Sequence, residues 1–201
     1  MIEARGVTRR YGTRTILDGL TWTFPTGLTT HIQAPNGTGK TTLFKCLLGL
    51  DAYAGSVLFD GRPLDAVRAA VGVVFDEPVV YPRLSGAKNF ALLSGTTEPD
   101  QAVLADLRLD ARLLARRVGG YSAGERKRLA LGLCLSSRPR YVLLDEVDAG
   151  LDEAMRRQVA ALLQRLPWQP TVLLAGHNPR FYELVADEVV TLDDGKLCRA
   201  S

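Results

Sequence analysis

A strand-like stretch from Leu28 to Ala34 runs directly into Ala34-Pro35-Asn36-Gly37-Thr38-Gly39-Lys40-Thr41-Thr42, after which Leu43, Leu47 and Leu50 recur at helical spacing. This order of strand, glycine turn and helix restricts the chain more than any other feature. In such a turn the four successive amides from Asn36 to Gly39 can point inward, and the helix that starts near Lys40 adds the positive end of its dipole. A polyphosphate would then be held mainly by backbone donors. Lys40 supplies a charge toward the outer phosphates, and Thr41 places a hydroxyl where a Mg²⁺ bridging them would sit. The plainer alternative is a glycine-rich turn that only caps a helix.

With 201 residues, 46% of them hydrophobic, the chain has the size of one ordinary domain and enough apolar material for its own core. A net charge of +3 without a concentrated basic run gives no reason to expect nucleic acid. The three cysteines, Cys46, Cys134 and Cys198, are odd in number and lack metal or redox spacing, so they are expected to be reduced and buried in a cytosolic protein. The opening residues carry no apolar signal core, and the longest apolar runs, such as Val71 to Phe75 and Tyr141 to Leu144, are strand-sized. Any membrane role is expected to come through a partner.

Short strands are expected at Ile2 to Thr8, Leu20 to Phe24, Ser56 to Phe59 and Val71 to Phe75, with an antiparallel β patch beside the nucleotide core. From Pro78 to Arg140 the β character gives way to short helical segments divided by Pro82, Gly86, Pro99 and Gly119-Gly120. An α/β pattern then returns. It comprises a buried strand at Tyr141 to Leu144, a helix with Leu151, Met155, Val159, Leu162 and Leu166 on one side, and strands at Thr171 to Ala175 and Val189 to Leu192 before an Asp194-Gly195 turn. The expected class is an α/β phosphate-loop NTPase core with a mixed sheet, divided as residues 1–77 and 141–201 for the core and 78–140 for a helical subdomain.

Further motifs follow in order. Tyr121-Ser122-Ala123-Gly124-Glu125 has the form of a capping box, with Ser122 as N-cap and Glu125 three residues on, ahead of an apolar row at Leu129 and Leu133. Tyr141 to Leu144 ends in the paired acids Asp145-Glu146, at the strand end where α/β sheets bind ligands. Asp148-Ala149-Gly150-Leu151-Asp152 comes next, and Gly176-His177-Asn178 closes the following strand. Taken with the glycine turn, this ordered set resembles the ATP-binding cassette (ABC) family of nucleotide-binding domains from Tyr11 to about Gly195, in a form closest to small bacterial exporter cassettes.

The resemblance implies ATP and Mg²⁺ as ligands and assigns roles to particular residues. Asn36, Gly37, Thr38, Gly39, Lys40, Thr41 and Thr42 would hold the phosphates, and Tyr11 would stack on the base. Thr41 and Asp145 would hold the metal, with Asp76 standing where the family has a glutamine. Glu146 would orient or deprotonate the attacking water, and His177 would contact the γ-phosphate. Ser122, Gly124 and Asp152 would serve a second copy or a related cassette, closing head to tail. A separate polytopic permease subunit would receive the motion at the cytoplasmic face of the inner membrane. Capping roles for Ser122 and Asp152, a surface role for Tyr11, a soluble cassette and a regulatory cassette without turnover are the alternatives. Ala34, Asp76 and Glu125 depart from the family pattern, and Ala34 is tolerable only with negative φ.

Overall fold

The computed structural model describes residues 1–96 and 98–199. Strands β1 (Ile2–Tyr11), β2 (Arg14–Phe24) and β4 (Ala54–Phe59) form an antiparallel sheet in the order β2-β1-β4. A second sheet contains β3 (Thr29–Gln33), β5 (Val71–Val74), β6 (Tyr141–Asp145), β7 (Thr171–Ala175), β8 (Glu188–Asp193) and β9 (Lys196–Arg199), in the order β5-β6-β7-β3-β8-β9. Its first five members are parallel, and β9 joins β8 antiparallel. The phosphate-binding turn leaves β3, a central strand flanked by β7 and β8, so a rigid sheet fixes where the turn begins.

Alternation along the central strands sorts two cores. Val142, Leu144, Val172 and Leu174 face a helical layer, whereas Tyr141, Leu143, Leu173 and Ala175 face the layer of α1 (Lys40–Leu47) and the antiparallel sheet. The helical layer comprises α2 (Gly86–Leu93), α3 (Gln101–Asp106), α4 (Ala111–Ala115), α5 (Ala123–Ser136), α6 (Glu153–Gln164) and α7 (Pro179–Val185). Five of these helices start on a side chain that accepts a backbone hydrogen bond: Ser85, Asp100, Asp110, Ser122 and Asp152.

Several expectations need correction. β1 and β2 are longer than their apolar residues indicate, because their outer faces are polar and the hairpin continues to Tyr11 opposite Arg14. β9 was not expected: the Asp194-Gly195 turn, with φ 43° and 74°, folds the chain back as a hairpin instead of ending the sheet. Cys198 on this outer strand is exposed, whereas Cys46 and Cys134 are buried; all three are free. No described helix is long and apolar enough to cross a membrane.

Candidate functional site

At the mouth of β3 the amides of Asn36, Gly37, Thr38 and Gly39 find no acceptor among the described residues, and α1 starts without a side-chain cap. A row of donors converging beside a helix N-terminus is an anion cradle. Gly39 has φ 116°, and a Cβ there would lie 2.6 Å from Ile16 Cγ2, so both backbone and space demand glycine. Ala34 is buried and is not among the positive-φ residues, so its methyl group is accommodated. Lys40 is buried and its ammonium donates to the carbonyls of Ala34 (2.7 Å) and Pro35 (3.3 Å), while Arg14 reaches the Gly37 carbonyl at 3.4 Å.

Thr41 stands one residue into α1 and donates to Asp145 Oδ2 at 2.6 Å. Asp145 ends β6 and is 2% exposed; its other oxygen, Oδ1, is buried without a partner. Burial pushes the Asp145 carboxyl above the usual carboxylate range against the pull of the Thr41 hydrogen bond, and the Asp76 charge pushes the same way. A hydroxyl beside a carboxylate with one oxygen unsatisfied is a donor set that suits Mg²⁺.

Glu146 follows in a left-handed conformation, φ 48°, which turns its side chain out of the strand toward the cleft. His177 Nδ1 lies 3.1 Å from Glu146 Oε1 and 3.0 Å from Oε2, so the tautomer with hydrogen on Nδ1 donates to the carboxylate. Asn36, Gly37, Gly39, Lys40, Thr41, Thr42, Asp76, Glu146 and His177 line one cleft of about 410 Å³. A larger hollow of about 780 Å³ lies among α2, α3 and α4, but its walls are mostly apolar and its Asp110 and Arg108 are engaged in capping α4 and bonding Gln158.

Ser122, Gly124 and Asp152 do not line the cleft of their own chain. Ser122 and Glu125 form the reciprocal capping box, Arg116 pairs with Glu125 at 3.1 Å, and a Cβ on Gly124 would come within 2.8 Å of the Gly150 carbonyl. Asp152 caps α6 through the Met155 amide. Tyr11 also lies off the cleft lining: its hydroxyl bonds Asp51 and the Arg9 guanidinium sits 4.2 Å from its ring centre.

Two groups behind the cleft had no signal in the sequence. Tyr182 is fully buried, stacks on His31 with ring centres 4.3 Å apart, and donates to Asp148 Oδ1 at 2.8 Å; Asn178 donates to Asp148 Oδ2 at 2.9 Å. This brace ties the His177 turn to the loop after β6. Burial lowers the His31 pKa, and its Nε2 lies 3.2 Å from the Gly176 carbonyl, to which the neutral ring donates. The second group is Lys127, which bonds Asp76.

Cradle, acid pair and histidine on a strand-turn-helix core define a nucleoside-triphosphatase class of site. The family model described as ABC transporter matches residues 17–149. The chain is 32% identical over 208 residues to the uncharacterised ABC transporter ATP-binding protein YhcH of Bacillus subtilis, covering 98% of this chain and 68% of that protein. It is 34% identical over 205 residues to the aliphatic sulfonates import ATP-binding protein SsuB of Pseudomonas putida, covering 98% and 74%. A bacterial Atm1-family ABC exporter solved with ATP bound shares the fold, with a TM-score of 0.87, 21% identity and coverage of 98% of this chain and 38% of that one. The chain belongs to the ABC transporter family, as an ATP-binding cassette.

Proposed function

We propose that this cassette binds and hydrolyses Mg-ATP at a site shared between two copies, and that the resulting closure and opening drive a separate membrane permease. The observation that carries this reading is the division of the site residues. Asn36, Gly37, Gly39, Lys40, Thr41, Glu146 and His177 line one cleft, with Asp145 buried behind it on the Thr41 hydroxyl, while Ser122 and Gly124 at the head of α5 lie outside it. In a head-to-tail pair, the α5 N-terminus of one copy supplies amides and a positive dipole end to the phosphates held by the other.

Within each cleft the amides of residues 36–39 bind the phosphates, and Lys40 exchanges loop carbonyls for phosphate oxygens. Thr41 and Asp145 would hold Mg²⁺, which would neutralise charge on those oxygens. Glu146 orients the attacking water and takes its proton, while His177 holds the Glu146 carboxylate in place from the side. Tyr11, exposed and with Arg9 against its ring, would stack on the base. Residues 78–140 act as the helical subdomain, and the remainder as the core.

Docking to the permease is supported by an apolar groove between the β5 edge and α2 and α5, lined by Val73, Phe75, Pro78, Leu93 and Leu133. Val79, which also lines it, is 80% exposed. Through this partner the cassette would stand at the cytoplasmic face of the inner membrane.

The test is Glu146→Gln. Turnover should fall about 10²- to 10⁴-fold, and ATP should accumulate a closed pair with twice the monomer mass by light scattering. A variant that stays monomeric at saturating ATP would overturn the shared site.

A further inference from the structure

Lys127 lies on α5, five residues past the Ser122 cap, and its side chain is 4% exposed. An ammonium so buried needs close anionic or carbonyl partners. Among the described residues its partners belong to two residues just past β5: the Asp76 carbonyl at 2.7 Å, Asp76 Oδ1 at 3.3 Å and the Phe75 carbonyl at 3.5 Å. Asp76 itself is 62% exposed and stands at a seam. On one side it lines the cleft with Lys40, Thr41 and Glu146; on the other it lines a hollow of about 440 Å³ with Ala123, Arg126, Lys127 and Gly150. Its charge reaches Asp145, the buried acid of the candidate metal site.

Asp76 therefore has two possible cationic partners, one fixed and one arriving with the nucleotide. We propose that Lys127 is a positioning residue whose buried ammonium holds Asp76 until a cleft-bound divalent cation takes that carboxylate over, so that this lysine sets how tightly the cleft holds its metal. This rests on the Mg-ATP reading above.

The experiment is a titration of Mn²⁺, followed by electron paramagnetic resonance, into protein saturated with a non-hydrolysable ATP analogue. The proteins are wild type, Lys127→Met, Asp76→Asn and the double variant. Freed from its competitor, Asp76 should bind the metal more tightly, and Lys127→Met should lower the half-saturating Mn²⁺ concentration by about tenfold, or about 1.4 kcal/mol. Lys127→Gln, which keeps polar contacts with the carbonyls, should shift it in the same direction, and Lys127→Arg should restore the wild-type value. In the Asp76→Asn background the Lys127→Met shift should shrink to the small effect of a distant charge. Equal shifts in both backgrounds, or none in either, would overturn the exchange while leaving the Mg-ATP reading intact. Absence of Mn²⁺ binding to nucleotide-loaded wild type would remove that reading and the exchange with it.

Discussion

Gly176 separates the last residue of β7 from His177, and the space a side chain would need there is filled by the Tyr182 hydroxyl. Gly176→Ala should force Tyr182 away from Asp148, leaving a buried carboxylate with fewer donors. Overpacking of this kind costs about 1–3 kcal/mol, to be read as a lower urea midpoint, and turnover should fall as His177 loses its support. Residues of the cleft were legible in the sequence where they lie close along one segment: Gly37, Lys40 and Thr41 share a turn, and Asp145 and Glu146 end a visibly apolar strand. The Tyr182–Asp148 and Lys127–Asp76 contacts join positions 34 and 51 residues apart. Neither pairing leaves any periodic trace, because it depends on how α7 and α5 are laid against the sheet.

The helix starts at Ser122 and Asp152 were readable, since a cap announces itself by residue type, and Asp100, a cap that the sequence reading did not single out, shows what one contributes. It accepts from the Ala102 and Val103 amides and pairs with Arg138, whose hydrogen bonds hold its carboxyl below the usual aspartate range. A lowered folded-state pKa means stability that is present above the unfolded value and lost as pH falls through the folded one. Asp100→Ala should cost about 1 kcal/mol at neutral pH, with the gap to wild type narrowing below about pH 4 in thermal melts. Helix interiors were less readable. The Leu129 and Leu133 row indicates a one-sided helix, yet α5 is buried on all sides from Leu129 to Ser136. Its small residues permit this, and Gly132 lies where a Cβ would be 2.6 Å from Leu109. Periodicity fails here because both faces are interior. β9 was missed for the opposite reason, being a short outer strand with little apolar content.

At the scale of the molecule, one folded body carries both the cradle and the head of α5 but does not bring them together in one cleft. Two inactive chains should therefore repair each other. A Lys40→Ala protomer mixed with a Ser122→Ala, Gly124→Val protomer should recover ATP hydrolysis that neither has alone, because the proposed head-to-tail pair would then keep one of its two sites intact. Mixtures no more active than their components would count against the head-to-tail arrangement. The same body holds Glu146 in a left-handed backbone conformation that glutamate seldom adopts, at a cost of roughly 1–3 kcal/mol. Asparagine or glycine would relax at that position and lose the carboxylate. Endurance to heat and the capacity for work are thus set against each other at one peptide unit, and a lineage pressed only toward hardiness would drift into a cassette that grips its fuel and never burns it.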